Sequence, residues 1–353
     1  MFLSCLSHLF LLLPLTSAFP KNDPLTPSKH FSWPSTTSLI AFGDSYTYIQ
    51  GTSGRQNFSF IGDLQNLAFT PQELLLNKIV QNQTGTAEGG PNWVQWLTGC
   101  GLREGLTDVV RDCGEERGKK GGKKMLWDFA FAGADISTEF TPLHHPYTVP
   151  LTDQIAQFTN YGEPALSSFV EKAKTLVTSW IGINDISDSA KYNISSFPSF
   201  YSQLQDRHFK LMEDIYKLGY RKFLFMNLPP LERTPDRVFK ENPSVNKTMV
   251  GWFNTALTQH AETFQSKHHD LEIMLFDVNS LLTRVLDNPK KWGFTNTTGY
   301  CKASDQPDVL QNPTKYGCAA DFPGGYFWWN SGHLTSRVHG IIAKELRGWL
   351  SGK

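Results

Sequence analysis

The run Ser38-Leu39-Ile40-Ala41-Phe42 is apolar at four successive positions and stops abruptly at Gly43-Asp44-Ser45-Tyr46-Thr47. An apolar stretch so short, without polar alternation, suits a strand buried on both faces, as in parallel sheets covered by helices. Sheets of that kind gather ligands at the carboxyl ends of their strands, which is where the Gly-Asp-Ser turn falls. Ser45 is therefore a candidate nucleophile.

A serine hydroxyl attacks an ester only with help from a base, a group that orients the base, and donors for the developing oxyanion. The chain offers candidates for each. Phe129-Ala130-Phe131-Ala132-Gly133-Ala134 reads as a second strand ending in glycine, whose missing Cβ lets a substrate oxygen approach the backbone. Trp180-Ile181-Gly182-Ile183-Asn184-Asp185 ends a third strand, and Trp328-Trp329-Asn330-Ser331-Gly332-His333 brings the base. Asp44 and Asp185 are expected to order their turns by accepting backbone N–H groups rather than to take part in chemistry.

These four blocks, in this order, resemble the SGNH (GDSL-type) hydrolase superfamily over residues 38 to 350, with Ser45, Gly133, Asn184 and His333 at the four name-giving positions. Phe42 to Thr47, taken with Asn227-Leu228-Pro229-Pro230-Leu231-Glu232-Arg233-Thr234-Pro235, is most similar to the fungal acetylesterases of carbohydrate esterase family 16. The resemblance implies an α/β chain, folded as a three-layer α/β/α sandwich around a mainly parallel, flavodoxin-like sheet of five strands. It also implies Ser45 as nucleophile, His333 as general base, and an oxyanion hole made by the Ser45 and Gly133 N–H groups and the Asn184 amide. No cofactor and no metal is expected; His144-His145 and His268-His269 lack partners at ligand spacing and read as surface residues.

One position departs from the superfamily pattern, which places Asp three residues before the histidine; here it is Asn330. An asparagine oxygen accepts from the imidazole Nδ1–H and holds the ring, as in papain-type proteases, but it brings no charge. Three readings stay open: a Ser45/His333 dyad supported by Asn330, an acid displaced to a residue such as Asp321, or an impaired enzyme.

Lys plus Arg and Asp plus Glu both number 33, so the net charge is zero and neither nucleic acid nor an anionic membrane surface is an expected partner. Met1 to Ala18 carries the apolar run Leu9-Phe10-Leu11-Leu12-Leu13 and the exit Thr16-Ser17-Ala18; this reads as a secretory signal, too short to span a bilayer. Residues 19 to 37, rich in Pro, Ser and Thr, read as an extended leader anchored by Trp33, and 38 to 353 as a single hydrolase domain. Beyond Cys5 four cysteines remain, an even count that suits oxidised pairs outside the cell, and local pairing, Cys100 with Cys113 and Cys301 with Cys318, is favoured among three connectivities. Asn57, Asn82, Asn193, Asn246 and Asn296 begin N-glycosylation motifs. The basic, Gly-rich stretch Glu115 to Lys124 lacks P-loop spacing and reads as a solvated loop.

Further along, the pattern alternates in βα fashion. Helices are expected at Trp93 to Leu97, from Pro150 through Phe158, over Ser167 to Ala173, Phe197 to Leu218, Val250 to Ser266, and in the closing segment after His333. Strands are expected at Met125 to Phe131, Thr175 to Ile181, Lys222 to Asn227 and Leu271 to Phe276. The expected protein is a secreted, extracellular, monomeric serine esterase acting on O-acetyl or other short-chain esters of carbohydrates, such as acetylated xylo-oligosaccharides. A lipase or lysophospholipase of the same superfamily, or a catalytically weakened glycan-binding protein, is the alternative.

Overall fold

Five strands form the sheet in the order β2-β1-β3-β4-β5, every pair parallel. A computed structural model describes residues 25–49, 86–99, 124–145, 148–167, 170–241 and 243–352. The strands are β1 Ser38–Gly43, β2 Met125–Asp128, β3 Thr175–Trp180, β4 Lys222–Met226 and β5 Glu272–Phe276. Strands β1, β2 and β3 are buried at every position, which is why they lack polar alternation.

Between and after the strands run α1 Trp93–Thr98, α2 Leu151–Gln157, α3 Ile183–Ser189, α4 Phe197–Lys217, α5 Lys247–Lys267, α6 Val278–Asp287 and α7 Ser336–Leu350. Right-handed crossovers place α1, on the way from β1 out to β2, on one face, and the helices leading from β2 toward β5 on the other. The packing agrees: α1 lies against α7, and α4 lies against α5 and α2. The result is the three-layer sandwich. Strand order reverses direction between β1 and its two neighbours, so the crevice above β1 is the topological switch point where α/β sheets bind ligands.

The leader does more than trail along the surface. Leu275 of the edge strand donates its N–H to the Leu25 carbonyl (2.9 Å), and the Ser28 N–H and hydroxyl donate to Glu272. An exposed strand edge is thereby partly covered. Trp33 is buried, and the Lys124 ammonium sits 4.5 Å over its ring.

Two expectations need correction. Strand β2 ends at Asp128 rather than Phe131, because the Asp128 carboxylate takes the Ala130 N–H (2.9 Å) and bends the chain, although Phe129 and Phe131 still donate to β1 carbonyls. Among the described residues of the helix expected over Ser167 to Ala173, none is α-helical. Instead α2 runs on through a π-turn at Phe158–Gly162 into Glu163–Leu166, so the helical turns are used up earlier. Only a 3-10 turn at Lys172–Lys174 precedes β3.

Gly182 shows how tightly the sheet's carboxyl end is fitted. Its φ is +116°, and a Cβ there would stand 2.1 Å from the Phe253 ring of α5. Gly182→Ala is expected to destabilise the fold by about 2–4 kcal/mol through overpacking and backbone strain. Calorimetry should show the thermal midpoint falling by roughly 5–10 °C; an unchanged midpoint would mean α5 steps aside without cost.

Candidate active site

The turn that follows β1 is set by its own aspartate. Asp44 Oδ1 accepts the Tyr46 N–H (3.0 Å), and its carbonyl accepts the N–H groups of Thr47 and Tyr48. Complete burial raises the Asp44 pKa to about 7. Ser45, held between them, is 7% exposed.

Across the crevice, His333 Nε2 lies 2.9 Å from Ser45 Oγ, although 288 positions separate the two in the chain. Asn330 decides which way the imidazole is protonated. Its Oδ1 lies 3.0 Å from the Gly332 N–H nitrogen, 2.8 Å from that of His333 and 3.0 Å from His333 Nδ1. Two of these partners are backbone donors, so the atom facing them is the oxygen and not the amide nitrogen. The same oxygen must then receive Nδ1–H, which leaves a lone pair on Nε2 directed at the serine hydroxyl. Asp321 has no part in this: it is exposed and accepts the Thr295 hydroxyl (2.6 Å).

Gly133 and Asn184 line the same crevice as Ser45 and His333. Gly133 has φ +82°, and Asn184 donates one amide hydrogen to the Ala134 carbonyl (2.9 Å), which fixes the side chain while the second hydrogen remains. Asp185, next to it and fully buried with a pKa raised to about 7 by that burial, takes the Ile136 N–H on both oxygens (2.9 and 3.2 Å). The turns after β1, β2 and β3 are thus fastened to one another. Asn184 and Asp185 open helix α3, whereas the sequence pattern suggested only a strand end.

Several contributors carry no sequence signal of their own. Gln154 of α2, wholly buried, returns both halves of an amide pair to Gly43: its Nε2 donates to the carbonyl (2.9 Å) and its Oε1 accepts the N–H (3.1 Å). A polar residue on the same helix face as Leu151 and Ile155 was the available clue. Tyr46 donates its hydroxyl to the Gly332 carbonyl and lays its ring 5.5 Å from His333, joining the serine turn to the histidine loop. His144 and His145, read as surface residues, are exposed but wall the crevice, with Ser187, Asp236 and Arg237 nearby. The crevice, open on one side, has a volume of about 420 Å³, within the range of small-molecule sites.

Cys301 and Cys318 form a disulfide, while Cys100 and Cys113 lie outside the described residues. Asn193 and Asn246 are exposed; Asn246 also caps α5, and half-buried Asn296 spends its side-chain oxygen on the Thr298 and Gly299 N–H groups. Asn57, Asn82 and residues 1–18 are outside the described residues. Among the described residues there is no His/Cys/Asp/Glu grouping that could hold a metal, and no helix is long and apolar enough to cross a membrane.

Residues 39–346 match the family model of GDSL-like lipase/acylhydrolases. The chain belongs to that family. It is 27% identical over 317 residues to an acetylesterase of Thermothelomyces thermophilus, covering 88% of this chain and 87% of the relative. An acetylesterase of Hypocrea jecorina is 24% identical over 371 residues, covering 96% and 92%. The GDSL esterase/lipase APG of Arabidopsis thaliana is 27% identical over 251 residues, covering 64% and 70%. As a member of this family with acetylesterase relatives, the protein is a carboxylic ester hydrolase.

Loss of hydration around half-buried His333 lowers its pKa to about 4, so the ring is neutral above that pH and gains its second proton only as pH falls through it. Asn330→Asp puts a carboxylate where a neutral oxygen now faces Nδ1, favouring the charged ring. The ring's pKa should rise by about 1–3 units, and an NMR titration of the imidazole reads this directly. A rise of less than half a unit would mean that residue 330 does not hold Nδ1.

Proposed function

We propose that the protein is a secreted serine esterase that removes acetyl or other short acyl groups from carbohydrates, with acetylated xylo-oligosaccharides as the substrate class, through a Ser45–His333 acyl-enzyme mechanism. The observation that carries this reading is the 2.9 Å contact between Ser45 Oγ and an imidazole nitrogen whose lone pair the Asn330 contacts turn toward it.

In this mechanism Ser45 Oγ attacks the ester carbonyl as its proton passes to His333 Nε2. The carbonyl oxygen, now negative, is received by the N–H groups of Ser45 and Gly133 and by the free amide hydrogen of Asn184. The tetrahedral intermediate expels the alcohol, which takes the proton from His333. Water then repeats the sequence on the acyl-serine, releasing the acid and restoring the hydroxyl. Asn330 keeps the ring in its tautomer throughout and offers a neutral oxygen to the imidazolium.

The lining of the crevice supports a small acyl group and a polar alcohol. It sets the polar groups of Asn184, Ser187, Asp236, Arg237 and Ser331, which can hydrogen-bond a polar alcohol, beside apolar Ala87, Ala132, Ile183 and Leu231. The acetylesterase relatives support the same acyl group. Secretion is supported by the signal-like segment at residues 1–18 and by the Cys301–Cys318 disulfide, a bond that persists in oxidising surroundings.

Ser45→Ala is expected to abolish acetate release from acetylated xylo-oligosaccharide, with Asn330→Asp retaining activity or raising it. Asn184→Ala, which removes one oxyanion donor, should lower kcat about a hundredfold or more. Full turnover by Ser45→Ala would remove the nucleophile, and faster fatty-acid release from a lysophospholipid than acetate release from the sugar would replace the substrate class. A thousandfold loss in Asp321→Ala without unfolding would restore the displaced acid.

A further inference from the structure

A histidine–aspartate pair stands beside the His333–Asn330 pair. His144 Nδ1 lies 2.7 Å from Asp188 Oδ2, and Asp188, whose side chain is 6% exposed, also receives the Lys191 ammonium on Oδ1. His144 lines the crevice together with Ser45, Gly133 and Asn184. Its ring reaches the oxyanion end of the site: Cδ2 would stand 3.2 Å from a Cβ built on Gly133. Because Asp188 occupies Nδ1, the other nitrogen is the one left for a ligand, and among the described residues no protein group bonds it.

This pair does not serve the proton transfer, which the His333 contacts account for. Its ring is instead a polar group held by Asp188 beside Gly133 in the crevice. We propose that His144 binds, through Nε2, the sugar hydroxyl vicinal to the acylated position, and that Asp188 is the positioning residue that holds its ring. The inference rests on the carbohydrate-ester reading given above.

A hydroxyl fits this group better than a carboxylate would. The hydrogen bond to Asp188 raises the His144 pKa above its ordinary value, with the nearby Asp188 and Asp135 charges acting in the same direction and the loss of hydration and Lys191 opposing them. In its charged form Nε2 is a donor, and in its neutral form, with Nδ1–H given to Asp188, it is an acceptor. A hydroxyl pairs with both, whereas a carboxylate pairs with the charged form alone. Binding through this contact would therefore persist across the titration of the ring.

The test compares kcat and KM on acetylated xylo-oligosaccharide and on 4-nitrophenyl acetate, whose alcohol has no vicinal hydroxyl, for the wild type, His144→Ala, His144→Gln and Asp188→Asn. The expected result is that the ratio of kcat/KM for the sugar ester to that for the aryl ester falls about tenfold in His144→Ala, mostly through KM. His144→Gln, which keeps a hydrogen-bonding group, should recover part of the ratio, and Asp188→Asn should lose part of it. Equal losses on both esters, or a ratio held within twofold in every variant, would overturn the role of His144. A wild type that cleaves the aryl ester but not the sugar acetate would instead sink the carbohydrate reading, and this use of His144 with it.

Discussion

Everything at the site hangs from β1, which is hydrogen-bonded along both edges, to β2 from Ser38 to Ala41 and to β3 from Ser38 to Gly43. A central strand with both edges paired and both faces covered has little freedom, so the turn at its end is delivered to one place. The strand's last residue is held again by Gln154, which supplies an amide pair where the β2 ladder has ended. Gly43 allows this fit, because a Cβ would stand 2.3 Å from the Trp180 carbonyl oxygen of the neighbouring strand. The positions of Ser45, Gly133 and Asn184 thus descend from the register of three adjacent strands.

The replacement of an aspartate by Asn330 looks like the largest departure, yet its energetic weight is modest for the reaction proposed. A hydrogen bond to a charged group contributes about 1.5–3 kcal/mol and a neutral one about 0.5–1.5, so an imidazolium facing an amide oxygen forgoes on the order of 1 kcal/mol. Each oxyanion donor is worth about 3 kcal/mol. The larger contribution comes from atoms this chain retains. Asn330 also does something a displaced carboxylate could not: by accepting the Gly332 and His333 N–H groups it shapes the loop and sets the tautomer with one atom.

The strands were legible because buried parallel strands are short apolar runs, and Leu39 to Phe42 and Leu176 to Trp180 have no other use for such a composition. The long helices α4 and α5 were legible from their apolar faces and from the Gly219 stop after α4. Helix α3 was not, since Ile183-Asn184-Asp185 reads locally as a turn, and the left-handed Gly182 that precedes it, with room for no Cβ beside Phe253, is a feature of packing between distant segments. Of the site, the residues proposed to react were named through resemblance in their motifs. Gln154, Tyr46 and His144 were not, because each acts across more than a hundred positions or through a partner such as Asp188 that no spacing rule connects to it.

The histidine arrives on residues 288 to 335, which among the described residues hold no α-helix and only short 3-10 turns and isolated bridges, and its placement to within a hydrogen bond needs a reason. A small separate core supplies part of it: Cys301, Cys318, Val309, Phe322 and Trp329 cluster together, and Trp329 stacks on Phe322 at 5.2 Å. Trp328 and Trp329 point to different partners, Trp328 donating its indole N–H to the Thr297 carbonyl (2.8 Å) and Trp329 covering Gly89 so closely that a Cβ there would collide with it. The Trp328–Leu334 bridge and the Trp329 N–H donated to the His333 carbonyl (2.8 Å) then close the loop on itself. Tyr46 adds the cross-link to the serine turn. A loop closed by its own backbone, seated on a local core and tied to the turn after β1 through Tyr46 leaves the imidazole few positions to occupy, so a regular element is not required to hold it.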